Sequence, residues 1–259
     1  MNKCSVWALS ALLFAGICAV AQSPIDGTWK TNPAQTKFSP KPIVFYLSQG
    51  WYHCVSCTPA FDAKADGTDQ PVTGQTYDTI NVKEVDANNI ALATKKDGKT
   101  TNEQTRTVSA DGKMLTVKIT EHPQNSDQPV SVTATAKRTG VKPSGVQATS
   151  GEWLLVKEEE SDNARTFTYK VNGDEITMSS PTGESYTAKL DGTDAPLKGS
   201  YGADTVSLKK INDHTFEETD KRNGNVVDVD TMTISGKTMK VTTDNKLSNR
   251  TTTFTATKQ

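Results

Sequence analysis

The chain has 259 residues, with 29 basic residues against 30 acidic ones and a formal net charge of −1. That balance excludes a partner held by bulk electrostatics, such as a nucleic acid, which calls for a basic excess or stripe. Leu, Ile, Val and Phe total 48, low but compatible with a core, and 38 threonines favour half-exposed pleated surface over helix.

In chain order, Lys3 opens a short basic start and Val6 to Val20 follows as an uncharged apolar stretch. Ala19-Val20-Ala21 then supplies the small-x-small pattern read by a signal peptidase, so residues 1–21 are expected to be a leader and Gln22 the first mature residue. The competing reading is a lipid-modified Cys18, but Ile17 before it is not small. The apolar run is short of the roughly twenty residues that span a bilayer, and no later segment is apolar enough. The expected location is secreted or periplasmic.

The remainder reads as one unit written twice. Gly27-Thr28-Trp29 is answered by Gly151-Glu152-Trp153, and Phe61-Asp62-Ala63-Lys64-Ala65-Asp66-Gly67-Thr68-Asp69 by Tyr186-Thr187-Ala188-Lys189-Leu190-Asp191-Gly192-Thr193-Asp194. Lys96-Asp97-Gly98 matches Arg222-Asn223-Gly224, and Gly112-Lys113 matches Gly236-Lys237, with an offset between 121 and 126 throughout. The expected boundaries are a first domain over 22–138, a linker over 139–150 containing Gly140, Pro143 and Gly145, and a second domain over 151–259.

Within each unit the apolar period is two. Thr79-Ile80-Asn81-Val82-Lys83 in the first, and Thr205-Val206-Ser207-Leu208-Lys209 and Met239-Lys240-Val241-Thr242 in the second, place one face on a core and the other in water. Asp97-Gly98, Asp111-Gly112, Asn172-Gly173 and Asn223-Gly224 mark tight turns between runs. The pattern predicts an all-β protein: two tandem antiparallel meander β-barrels, with eight or nine short strands each, closed because an open sheet would expose its edges.

Gly27-x-Trp29 and Gly151-x-Trp153, each at the head of a meander, resemble the opening of the calycin superfamily, the lipocalins and fatty-acid-binding proteins, and most of all exported bacterial proteins with tandem lipocalin-like repeats. The resemblance implies that Trp29 and Trp153 each close one end of a barrel. It also implies an Arg near the last strands covering the Trp, for which Arg138 and Arg250 are the candidates.

Cys54-Val55-Ser56-Cys57 is the sharpest local feature. In an exported chain the pair reads as a disulfide, provided that the backbone turns at Val55-Ser56, because extended chain would hold the cysteines too far apart. A thioredoxin-like redox pair would need a following helix, and a zinc site recruiting His53 lacks a fourth ligand. Asp66-Gly67-Thr68-Asp69 and Asp191-Gly192-Thr193-Asp194 supply too few oxygens for calcium and read as turns. His122 and His214 fall in loops, and no nucleophile elbow is present, so no catalytic residue, metal or cofactor is expected. Two functions stay open. One is a carrier holding a small hydrophobic ligand in one or both barrels, with Ile80, Val82, Val206, Leu208, Phe216 and Val241 as candidate lining. The other is a structural or interaction module of the cell envelope, in which the same side chains meet in solid cores.

Overall fold

The computed structural model describes residues 23–141 and 143–259, so the expected leader lies outside the described residues. The alternating runs become strands throughout. The first ten are β1 (Gly27–Thr31), β2 (Ile43–Ser48), β3 (Trp51–Cys54), β4 (Phe61–Lys64), β5 (Asp66–Pro71), β6 (Thr79–Asp86), β7 (Asn89–Lys96), β8 (Lys99–Val108), β9 (Met114–Glu121) and β10 (Val130–Thr139). The second ten are β11 (Gly151–Glu160), β12 (Thr166–Asn172), β13 (Glu175–Ser179), β14 (Ser185–Lys189), β15 (Asp191–Pro196), β16 (Thr205–Asn212), β17 (Thr215–Arg222), β18 (Asn225–Ser235), β19 (Thr238–Asn245) and β20 (Arg250–Lys258). They form two ten-stranded antiparallel sheets, each nearly closed into a barrel, so the fold class is as expected and each barrel has one or two strands more than expected.

The sheets do not follow the repeat boundaries. One runs β4-β3-β2-β11-β10-β9-β8-β7-β6-β5 and the other β14-β13-β12-β1-β20-β19-β18-β17-β16-β15. The first strand of each repeat has changed places: β1 lies between β12 and β20, pairing Trp29 with Phe167 and with Lys258. In return β11 lies between β2 and β10, pairing Trp153 with Ile43 and with Arg138. The first barrel is therefore one continuous stretch, residues 43–160, inserted between the first strand of the second barrel and the remainder of it. The boundaries 22–138 and 151–259 are corrected accordingly. Repeat matching reports ancestry of segments, and hydrogen bonding decides which barrel a segment completes.

The stretch expected to be a linker is partly built into the first barrel. Thr149 and Ser150 are fully buried, Gln147 N–H donates to Leu47 O, and the Gln147 side-chain amide donates to the carbonyls of Asp86 and Ala87. The equivalent segment of the second barrel precedes β1, where Ile25 is fully buried.

Two cores result. In the first, β7 shows the alternation plainly: Ile90, Leu92 and Thr94 are buried and their neighbours are not. In the second, Val206, Leu208, Phe216, Met232, Met239 and Val241 pack with Trp29, Tyr169 and Ile176. Each large apolar side chain so buried stabilises its barrel by about 1.5–3 kcal/mol. Asp97-Gly98 and Asn223-Gly224 make the expected tight hairpins, with φ of 50° and 76° in one and 52° and 76° in the other. Asp66-Gly67 and Asp191-Gly192, read as turns, are instead irregularities inside β5 and β15, where the register slips between the two aspartates. The Asp66 carboxylate accepts from the Thr68 N–H and hydroxyl, holding the bulge that bends the strand.

Candidate functional site

Both tryptophans lie in the core of the partner repeat's barrel. Trp29 and Trp153 are fully buried, and their indole N–H groups donate to Ile25 O and Thr149 O, both at 2.8 Å. Arg138 covers Trp153, its guanidinium carbon 4.0 Å from the ring centroid, and donates to the carbonyls of Gly112, Ala148 and Ser150. Lys258, not Arg250, is the counterpart in the second barrel, with Nζ 5.2 Å from the Trp29 ring. Arg250 instead donates to the carbonyls of Lys41 and Pro42 in the segment crossing between barrels.

Cys54 ends β3, the chain turns through Val55-Ser56, and Cys57 returns with its Cα 5.4 Å from that of Cys54 and the sulfurs bonded. Ser56 staples the turn to β2 by donating its N–H to Val44 O and accepting the Val44 N–H on Oγ. His53 faces Asp62 across β3 and β4 at 2.6 Å, and His122 faces Glu103 at 3.1 Å. His214 is exposed. Among the described residues no group of three or more His, Cys, Asp or Glu side chains is arranged to hold a metal ion, and no helix is long and apolar enough to cross a membrane.

A cavity of about 750 Å³ occupies the mouth of the first barrel. Its inner wall is apolar and polar by turns: Tyr52, Ile80, Leu92 and Val132 beside Thr94, Gln104 and Arg106. The disulfide borders it, and Thr182, Glu184 and the segment 199–202 of the second barrel roof it. Of the six candidate lining residues only Ile80 borders this cavity. Val82 is buried in the first core, and Val206, Leu208, Phe216 and Val241 are packed in the second.

Arg106 is the chemical centre of the cavity and was not singled out by sequence. Its guanidinium lies over the Phe45 ring at 4.5 Å and the Tyr52 ring at 5.8 Å. It donates to the Tyr52 hydroxyl at 3.0 Å and, through two nitrogens, to Gln104 Oε1 at 3.1 and 2.9 Å. Its partners are neutral, and among the described residues no carboxylate pairs with it. An inward cation without a counter-ion presents its charge to whatever enters. The one signal available was a charged residue inside the Asn102-Glu103-Gln104-Thr105-Arg106 alternation, on the same face as Gln104.

The second barrel carries the opposite charge inside. Tyr186 and Tyr169 donate to Glu218 Oε2 at 2.5 and 3.3 Å. Burial, then the neighbouring Asp220, push the Glu218 carboxyl up to about 8. Burial and Asp230 raise Asp220 to about 7, and burial raises Asp230 to about 6. The register fixes the correspondence between barrels: Thr94 faces Asn102 on β7–β8, and Asp220 faces Asp228 on β17–β18.

No protein-family model, no curated protein and no solved structure matches this chain. The two nearly closed antiparallel barrels are consistent with a calycin-like fold.

Proposed function

We propose that this chain is an exported, non-enzymatic carrier, related to the lipocalin-like repeat proteins, that holds one small amphipathic ligand in its first barrel. The observation that carries the reading is the unpaired Arg106 guanidinium inside a cavity of about 750 Å³ whose other walls include Ile80, Leu92 and Tyr52. Such a volume suits a small organic molecule. An apolar body would lie against the aliphatic wall, and an anionic or strongly polar head would displace water at Arg106. The test is native mass spectrometry of the protein purified from its host, followed by titration with a fluorescent fatty-acid probe. A co-purified mass or saturable uptake supports the reading; neither a mass nor uptake overturns it. Arg106→Met is expected to weaken a carboxylate probe about tenfold or more, and an uncharged alcohol of the same chain length much less.

For the second barrel a different reading is favoured. Its candidate lining residues are packed against one another, and Tyr169, Tyr186 and Glu218 satisfy each other. That lobe is proposed to serve as a structural module that roofs the cavity of the first.

A further inference from the structure

Four glutamates meet at the cavity mouth. Glu121, at the end of β9, and Glu158 and Glu160, at the end of β11, come from the first barrel, and Glu184 comes from the roof supplied by the second. Glu158, Glu160 and Glu184 are half-buried and Glu121 lies exposed at the rim; partial withdrawal from water is the main cause raising each above the usual carboxylate range. Glu121 also feels Glu184, Glu158 feels Glu121, and Glu160, pushed up to about 6, feels both Glu158 and Glu121. The opposing charges are few. Arg165, after β11, pulls Glu160 down but is itself engaged by Asp162, and Ser200 donates a hydrogen bond to Glu184. His122 is turned to Glu103, and Arg106 lies deeper, bonded to Gln104 and Tyr52. Glu184 acts on Asp220 of β17, which has Asp228 and Asp230 of β18 beside it, so the second barrel adds like charge here, with Arg222 as its cation at the same edge.

The contacts holding the roof at this edge are slight. Gln124 donates to Ser200 O at 3.0 Å, Asn125 to Gly183 O at 3.5 Å, and Arg222 to Gly74 O at 3.5 Å. The barrels are joined by two chain crossings, 32–42 and 161–165, with Arg250 fastening the first of them to β20. Glu184 faces Glu121 across the seam, with Glu158 and Glu160 beside Glu121, and charge gathered there works against closure.

The geometry points to a pH-operated mouth: Glu121, Glu158, Glu160 and Glu184 let the second barrel seat on the first when protonated, and force the seam apart when ionised. Access to the cavity is then closed on the acid side and open on the alkaline side. This rests on the carrier reading for its purpose, but the movement itself needs no ligand, so the two are separately testable.

The experiment is small-angle scattering of the full mature chain with hydrogen exchange, corrected for intrinsic rates, at about pH 5 and about pH 8.5. The expected result is a larger radius of gyration at the higher pH. Protection of 180–184 and 199–202 should fall about tenfold, while β7 of the first barrel stays protected. The quadruple change Glu121→Gln, Glu158→Gln, Glu160→Gln and Glu184→Gln should remain compact at both values. Should that variant fold poorly, the native chain at pH 8.5 in 1 M salt serves instead, because a screening length of about 3 Å should reseat the roof. A native chain with equal radius and equal protection at both pH values overturns the proposal. So does an expansion that persists in the glutamine variant or in high salt. A chain that opens with pH but takes up no probe would sink the carrier reading and leave the switch standing.

Discussion

The two barrels share a plan and differ in what they enclose. Each is completed by the other repeat's first strand, carries a buried tryptophan bonded to a carbonyl four residues upstream, and is turned by the same hairpins. Inside, one has Leu92, Thr94, Gln104 and an uncompensated Arg106 around open space, whereas the other has Glu218, Asp220 and Asp230 against Tyr169 and Tyr186. The two repeats thus share the wall and differ in its contents. A barrel wall is held by backbone hydrogen bonds and by the buried alternate residues nearest its ends, so mid-strand inward positions can change charge without changing topology.

The strand exchange gives the strongest way to break this comparison. Trp29→Ala removes a fully buried indole and should destabilise by about 3–5 kcal/mol. The loss should fall on the second barrel: hydrogen exchange should accelerate over 166–259 and leave 43–138 protected. Trp153→Ala should do the reverse. Acceleration confined to each tryptophan's own repeat would refute the exchanged topology.

Next in size is a pH effect centred on the second barrel. The Glu218 carboxyl lies at about 8 in the folded chain against an ordinary 4.5, so the native state keeps a proton that the unfolded chain releases. Its contribution is complete below about 4.5 and is lost as pH rises towards 8, and Asp220 and Asp230 act in the same direction. The second barrel should therefore melt lower at pH 8.5 than at pH 5. Glu218→Gln, which still accepts from Tyr186, should recover on the order of a few kcal/mol at the higher pH and flatten the profile. An unchanged profile in that variant would place the effect elsewhere.

How far sequence reached follows from the same contrast. The period of two, the Gly-x-Trp heads and the Asp-Gly and Asn-Gly turns are local signals, and strand content and the turns at Asp97-Gly98 and Asn223-Gly224 follow from them. The exchange of β1 and β11 is not local: Trp29 and Trp153 each head a repeat behind the same Gly-x step, and it is their pairing to Lys258 and Arg138 that shows which barrel each completes. Arg106 escaped notice because a charged residue in an alternating strand reads as solvent-facing until the register is known. Of the candidate lining residues, the burial of all six was legible from periodicity. Whether buried meant packed or bordering a cavity depends on how the opposite wall fills the space, and that separates Ile80 from the rest.

A smaller difference concerns the disulfide, which only the first barrel has. Closing so short a ring stabilises by about 2 kcal/mol in the chain-entropy treatment. Cys54→Ser should therefore lower the melting temperature of the first barrel modestly and leave the second unaffected, as judged by hydrogen exchange. Loss of the whole fold in that variant would show the turn at Val55-Ser56 to be the barrel's main support instead of a local clamp.

The finest contrast lies in how the tryptophans are covered. Arg138 combines contact over the Trp153 ring with hydrogen bonds to three carbonyls, whereas Lys258 stands farther from Trp29 and donates to Pro24 O alone. A planar guanidinium can satisfy several carbonyls while stacking, and an ammonium on a flexible stem cannot. Arg138→Lys should therefore cost the first barrel about 1–2 kcal/mol, because two of the three carbonyls lose their donor. Lys258→Arg should add less than about 1 kcal/mol to the second, since Gly27 already stands close to the Lys258 side chain and leaves little room for a larger head. Paired chemical denaturation of the two variants measures both. Equal and opposite shifts would mean that the cation over the ring dominates; a large loss beside a small gain would assign the stabilisation to the carbonyl bonds.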